Sequence, residues 1–207
     1  MITVYHAPRS RSLRVIWLLE EIGDPYNIEV SSIPAPAEYL DVNPIGTYPA
    51  IDDDGVTLNE SLAILQYITG RRLFGLAEGA PSFTIGPVPS PADYAAHLQF
   101  LHYGEASLQS AVSALFRTMV MGGEDQNNWT ANDARTQLIR RLKLLEDRLA
   151  DGRDYIMGDA FTIADISVGT ALLAFAPLGL DDELSDNVKA YRARLQEREA
   201  FQRALTK

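Results

Sequence analysis

Two kinds of hydrophobic period divide this chain, and the division limits what it can fold into. Up to about residue 76, short alternating runs change places with helical ones; beyond Pro89 only helical spacing remains. "ITVYHA", from Ile2 to Ala7, is a β-rich run stopped by Pro8. "SRSLRVIWLLEEIG" carries apolar residues at Leu13, Ile16, Trp17, Leu19 and Ile22 and closes on Gly23, the pattern of a helix with its stop. "YNIEVSSI" alternates as a second strand, and "PAEYLDVNP" forms a short helix cut off by Asn43-Pro44. "YPAID" and "VTLNE" flank Asp53-Asp54-Gly55, a hairpin turn of the Asp-Gly kind, and "SLAILQYITGRR" is a third helix.

The order is therefore β-α-β-α-β-β-α, which suits a small mixed sheet with helices packed on it. "LAEGAPSFTIGPVP" then places two Gly and three Pro in an irregular stretch. The helical remainder begins at Ser90, an N-cap, with Pro91 in the first turn, and Gly104 bends or splits this long helix. A second helix starts at Thr130, with Leu138, Leu142, Leu145 and Leu149 on one face. "TIADISVGTALLAFAPLG" is apolar nearly all round, as a central buried helix is, and "NVKAYRARLQEREAFQRAL" reads as one charged surface helix. The expected fold is an α/β N-terminal domain (βαβαββα) over 1–76, a linker at 77–89 and an all-α C-terminal domain over 90–207.

Length, charge and cysteine content narrow the function. A chain of 207 residues can bury a sizeable core in one large domain or two small ones. It has no cysteine, so disulfides, cysteine-ligated metals and a cysteine nucleophile are excluded. His6, His97 and His102 show no metal-ligand spacing. A formal net charge of −10 argues against nucleic acid and anionic membranes as partners. No apolar run reaches the length of a membrane span, and "MITVYHAPRS" lacks the layout of a secretory signal, so a cytoplasmic location is expected. Against the acidic background, Arg9, Arg11 and Arg14 lie close together. They either balance Glu20 and Glu21 on a solvated helix face or set up positive potential beside an anion site.

Two local signals stand out. Thr162 and Asp165 have capping-box spacing at a helix start, and Phe161 and Ile166 flank them at hydrophobic-staple spacing, a folding feature with no catalytic role. Glu60-Ser61 ends the hairpin where a helix begins, so Ser61 reads as a plain N-terminal cap, as part of an anion site, or as both at once, since a helix N-terminus is an anion site by construction.

Taken together, the segments Asn43-Pro44-Ile45-Gly46-Thr47-Tyr48-Pro49 and Leu58-Asn59-Glu60-Ser61-Leu62-Ala63-Ile64, followed by the Thr162–Asp165 cap, resemble the cytosolic glutathione transferases of bacterial type. The resemblance spans most of the chain and implies a thioredoxin-like, glutathione-binding domain followed by a helical domain, assembled as a homodimer. It further implies a cis bond before Pro49, which turns the backbone of Tyr48 to pair with the cysteinyl backbone of glutathione, strand addition on a very short scale. On residues alone, Tyr48-Pro49 could equally open an edge strand. Glu60 and Ser61 match the family's γ-glutamyl site: Ser61 Oγ and the helix N–H groups take the α-carboxylate, and Glu60 takes the α-ammonium.

The chemistry the family performs is attack of the glutathione thiolate on an electrophile. A thiol titrates near 8.5, so a shift of about 2 units, or about 2.7 kcal/mol, makes the thiolate abundant at neutral pH. A hydrogen bond to the anion supplies about 1.5–3 kcal/mol and a helix N-terminus about 0.3–1 kcal/mol, which suffices without a general base. Aligned with the family, Ser10 is the donor, with Ser12, a charge from Arg9 and a backbone amide as alternatives. Tyr5 is structural. Thr47 stands where the family often has a lysine for the glycine carboxylate, which leaves that contact unassigned. The second substrate, a small hydrophobic electrophile in a detoxification reaction, would lie over the helix after Pro91, with His102, Tyr103 and Phe116 as candidates for its wall or for ordinary packing. Alternatives on the same fold are an isomerase or ether-cleaving enzyme, which lacks its Ser-Ser-Cys signature here, and a non-catalytic glutathione-binding protein. A glutaredoxin-like reductase needs the cysteine this chain does not have.

Overall fold

A computed structural model describes residues 1–71, 90–121 and 129–207. The expected linker at 77–89 lies outside the described residues. Two compact units emerge, Met1–Gly86 with Glu197–Lys207, and Pro87–Gln196.

The first unit is built on four strands, β1 (Ile2–His6), β2 (Tyr26–Val30), β3 (Ala50–Asp53) and β4 (Val56–Asn59), in the order β2-β1-β3-β4. β1 and β2 run parallel, with Val4 opposite Ile28, while β3 is antiparallel to both β1 and β4, with Val4 opposite Ile51. Helix α1 (Ser12–Ile22) supplies the crossover between β1 and β2, as a parallel pair requires. A 3-10 turn, Ala37–Asp41, occupies the place of the expected second helix. The β3–β4 hairpin closes through Asp54 and Gly55, both at positive φ (51° and 92°), the signature of the tight turn that Asp-Gly favours. Helix α2 (Ser61–Gly70) follows.

Alternation on β1 sends Ile2, Val4 and His6 into the interior, where they meet the fully buried Val15, Ile16, Trp17, Leu18 and Leu19 of α1. On the other side of the sheet a smaller apolar cluster gathers Ala7, Tyr39, Tyr48 and Ala50, with Tyr5 packed against it. Tyr39 stacks on Tyr48 with ring centroids 4.3 Å apart, and Tyr5 packs against Tyr39, a structural place for Tyr5.

The segment between the 3-10 turn and β3 is organised by Asn43, which is fully buried. Its Nδ2 donates to the Thr47 carbonyl (2.6 Å), and its Oδ1 accepts from the Ile45 N–H (3.2 Å) and from Asn59 Nδ2 (3.0 Å). Tyr39 Oη also donates to the Thr47 carbonyl, and Tyr48 Oη donates to Ser31 Oγ. Replacing Asn43 with Ala removes three hydrogen bonds made by a fully buried side chain, each worth about 0.5–1.5 kcal/mol. The expected result is a loss of about 2–3 kcal/mol in urea unfolding, and a stability within experimental error of the parent would contradict this role for Asn43.

The second unit is helical. It comprises α3 (Pro91–His102), a π-helical stretch (Tyr103–Gln109), α4 (Ser110–Met121), α5 (Trp129–Leu149), α6 (Ile163–Leu172), a 3-10 turn (Asp181–Glu183) and α7 (Asp186–Gln196). Ser90 caps α3 as expected, its Oγ accepting the Asp93 N–H, with Pro91 in the first turn. Gly104 falls in the π-helical stretch, where the α-helical register of α3 gives way before resuming in α4. It lets α6 approach: a Cβ there would lie 2.4 Å from Ser167 Oγ and 2.6 Å from the Ser167 carbonyl carbon. Ser167 Oγ in turn donates to the Leu101 carbonyl at 2.7 Å, taking up an acceptor next to the π-helical stretch.

Asp165 lies at the centre of this unit. It is fully buried and accepts from the Ile156 N–H (2.8 Å), the Thr162 N–H (2.8 Å), Thr162 Oγ1 (3.1 Å) and Tyr191 Oη (3.0 Å). The capping box read from Thr162 and Asp165 is present, and the carboxylate also ties α6 to the 156 segment and to α7.

One helix was expected over 187–205, but the structure has two. The chain breaks after Gln196, and Arg198 is extended at φ −64°, ψ 128° before the last helix, α8 (Glu199–Leu205). α8 packs on α1, within the first unit, so the expected helical domain of 90–207 loses residues 197–207 to its neighbour. The physical cause is specific. Phe201 meets Trp17 edge-on at 4.8 Å; Arg198 holds Glu21 through two nitrogens at 2.5 and 2.8 Å; Arg203 donates to a Glu20 carboxylate oxygen at 2.7 Å. Glu20 and Glu21 thus draw their countercharge from the C-terminal helix.

Candidate active site

The turn from β1 into α1 runs through Pro8 and Arg9. The Ser10 N–H donates to the Ala7 carbonyl at 3.2 Å, and Arg9 sits at φ 63°. Proline at the second turn position and a left-handed residue at the third is the pattern of a type II turn. Arg9 therefore holds a conformation that costs an ordinary L-residue about 1–2 kcal/mol. The turn delivers Ser10 to the start of α1, where its Oγ accepts the Ser12 N–H (3.2 Å) and lies 2.6 Å from Ser12 Oγ. Ser12 is fully buried, whereas Ser10 is half-buried. This distinguishes the two candidate donors: Ser12 is enclosed inside the protein, whereas Ser10 keeps part of its surface open.

A second place of interest is the junction of β4 and α2. Glu60 is exposed and sits at φ 68°, ψ 105°, a strained backbone for a residue with a Cβ. It occupies the cap position of α2 without a side-chain capping bond, so Ser61 is the first helical residue and not the cap. This removes the plain-cap reading of Ser61. Its Oγ instead accepts from the Arg14 guanidinium at 3.0 Å. Arg14 is fully buried, and its burial is what sequence reasoning did not find. A signal existed: Arg14 shares a helix face with Trp17 and Leu18, three and four residues on, where a cation is out of place unless it meets something. The α2 N-terminus contributes its free first-turn N–H groups and the positive end of its dipole.

Tyr48, Pro49, Glu60 and Ser61 line one small cleft together with Arg11 and Thr47. The bond between Tyr48 and Pro49 is cis, as is that between Ile33 and Pro34. Sequence alone places Arg11 only in a basic cluster; the structure puts it in the wall. Arg9 is exposed at the turn and is not among the lining residues. With the Arg11 guanidinium, the Ser61 hydroxyl, the α2 N-terminus and the exposed Glu60 carboxylate along its wall, the cleft has the groups to take an α-amino acid group, carboxylate and ammonium together.

The proposed wall residues of the helical unit divide. Tyr103 is buried, its hydroxyl donates to the Arg141 carbonyl at 2.8 Å and its ring meets Phe100 edge-on, so it packs the helical core. Burial drives its phenol pKa upward, so the hydroxyl stays protonated. His102 and Phe116 are exposed. A larger opening of about 460 Å³ lies among Asp93, Arg148, Arg153 and Met157, but its arginines are spent on structure: both donate to the Ile156 carbonyl, and Arg153 pairs with Asp151.

The fold is a thioredoxin-like domain, with this cleft at its edge, joined in one chain to a helical domain. Residues 9–71 match the family model of the glutathione S-transferase N-terminal domain, and residues 105–194 that of the C-terminal domain. Glutathione S-transferase 3 of Schizosaccharomyces pombe is 30% identical over 226 residues, covering 100% of this chain and 88% of that protein. GstA of Escherichia coli O157:H7 is 32% identical over 171 residues, covering 82% and 77%. A glutathione transferase family member from Pseudomonas fluorescens, solved with two glutathione bound, superposes with a TM-score of 0.80 at 28% identity, over 99% of this chain and 92% of that one. The chain belongs to the glutathione S-transferase family. Among the described residues, no helix is long and apolar enough to cross a membrane.

Proposed function

We propose that this chain is a cytoplasmic glutathione transferase that binds glutathione along the first unit and holds its sulfur as a thiolate beside Ser10. The observation that carries the reading is Ser61 at the α2 N-terminus, which lines one cleft with Glu60, Tyr48 and Pro49 and is held from behind by the buried Arg14. Arg14 fills one lone pair of Ser61 Oγ, so the Ser61 proton is available to the γ-glutamyl α-carboxylate, alongside the first N–H groups of α2. The Glu60 carboxylate receives the α-ammonium. The backbone of Tyr48, just before β3, pairs with the cysteinyl backbone of the tripeptide. The sulfur then reaches the turn at the start of α1, where the Ser10 hydroxyl donates to it. Ser10 stabilises the anion and does not remove the proton, because a serine hydroxyl is a poor base at neutral pH. Arg9, exposed next to Ser10, adds positive potential there. The thiolate attacks a small hydrophobic electrophile, and the relatives' names as transferases support that outcome over isomerisation. As the family resemblance implies, the working form is a homodimer.

Glutathione binding followed by calorimetry tests the γ-glutamyl end. Ser61→Ala removes a hydroxyl hydrogen-bonded to a charged ligand group, worth about 1.5–3 kcal/mol, and should weaken glutathione about 10- to 100-fold. Equal affinity in the parent and the variant would overturn the assignment.

A further inference from the structure

Behind Ser10 lies a chain of hydrogen-bonding groups that the reaction as described does not use. His6, at the end of β1, is buried and places its Nδ1 2.7 Å from Ser12 Oγ, which lies 2.6 Å from Ser10 Oγ. Taking Ser10 as the thiolate donor proposed above, we propose that His6 and Ser12 are positioning residues: they form a one-way hydrogen-bond chain that fills the acceptor sites of Ser10 and so aims its proton at the sulfur.

The direction of the chain follows from what surrounds His6. Its Nε2 is buried and has no hydrogen-bond partner among the described residues. A neutral imidazole carries one proton, on either nitrogen. A buried donor left unpaired is rarer than a buried acceptor left unpaired, which puts the proton on Nδ1 and leaves a bare lone pair at Nε2. Burial also pushes the His6 pKa below its ordinary value, so the ring is neutral at pH 7. Nδ1–H then donates to Ser12 Oγ.

Ser12 must send its own proton elsewhere. The two acceptors in reach are Ser10 Oγ at 2.6 Å and the Ala7 carbonyl at 3.4 Å. The first is an ordinary O–H···O distance and the second is beyond it, so the proton goes to Ser10. Ser10 Oγ already accepts the Ser12 N–H at 3.2 Å. With two donors on its two lone pairs, the Ser10 hydroxyl has only its own proton left to offer, and among the described residues no further acceptor bonds to it. It points outward, and each bond in the row polarises the next.

The opposite direction, from Ser10 through Ser12 to His6, would consume the very proton the thiolate needs. The two directions therefore predict opposite results when the chain is cut. The experiment is an ultraviolet titration of the thiolate absorbance of bound glutathione, with its affinity measured on the same preparations. Ser12→Ala should raise the thiol pKa by about half a unit to one unit, a three- to tenfold loss of thiolate near neutral pH, while affinity at a pH where the thiol is protonated changes less than twofold. His6→Leu cuts the chain at its other end and should give the same rise, which keeps the proposal testable should Ser12→Ala not fold. His6→Asn, which can place an amide N–H where Nδ1 stood, should restore the parent value. A pKa that falls or stays constant in both Ser12→Ala and His6→Leu, with Ser10→Ala still raising it, overturns the chain alone. A constant pKa in Ser10→Ala overturns the underlying reading and the chain with it.

Discussion

Deleting residues 197–207 should leave the first unit without a stable fold, although these residues come last in the chain and the sheet comes first. α8 covers α1: Phe201, Ala200 and Ala204 are buried, and the ring of Phe201 lies against the fully buried Trp17. Truncating a buried Phe to Ala costs about 3–5 kcal/mol, a large part of the 5–15 kcal/mol that stabilises a typical domain. The deletion also takes the bidentate Arg198 from Glu21, leaving it the Trp17 indole N–H, and takes Arg203 from Glu20, leaving it Tyr26. Phe201→Ala is the milder test, with an expected loss of about 3–5 kcal/mol. Urea unfolding followed by tryptophan fluorescence reads it directly. Trp17 is buried and Trp129 exposed, so a Trp129→Phe background leaves Trp17 as the reporter of the first unit. A deletion variant that unfolds at the parent urea midpoint would show that α8 is an accessory and not part of this core.

Asp165→Ala should be nearly as damaging to the second unit. The substitution leaves the Ile156 N–H, the Thr162 N–H and Tyr191 Oη facing an apolar interior, at about 1–3 kcal/mol each. A net loss of about 3–5 kcal/mol is expected. The effect should depend on pH, and the sign is fixed by the carboxyl group itself. Burial raises its pKa from 3.8 to about 6, against the pull of its four donors. The fold therefore favours the neutral acid more than the unfolded chain does. That stability is fully present below about pH 4 and is lost as pH rises through 6. The alanine variant has no such group, so the gap between parent and variant should narrow from pH 4 to pH 7, by on the order of 2–3 kcal/mol. Chemical denaturation across that range checks it, and a gap that widens with pH would mean that the hydrogen bonds outweigh burial.

These two cases mark where sequence was a good guide and where it stopped. The capping box was legible because Thr162 and Asp165 are three residues apart and the physics is local. The Asp54-Gly55 hairpin and the Ser90-Pro91 helix start were legible for the same reason. The break between α7 and α8 was not: its residues have helical spacing throughout, and what stops the helix is the pull of Trp17, Glu20 and Glu21, more than 170 residues away in sequence. The site divides in the same manner. Tyr48, Pro49, Glu60 and Ser61 carry turn and helix-start signals and converge on one cleft. Arg14, 47 residues from Ser61, gives only the weak hint of a cation on an apolar face, because its role exists only once α1 and α2 are side by side. Ser10 and Ser12 are indistinguishable as letters; burial separates them.

The sulfur of bound glutathione tests the account most directly. Titrating its thiolate absorbance in the parent and in Ser10→Ala should show a pKa well below the free value of about 8.5 in the parent, and a rise of about 1–2 units in the variant as one hydrogen bond to the anion is lost. Superimposable titration curves for the two proteins would contradict it.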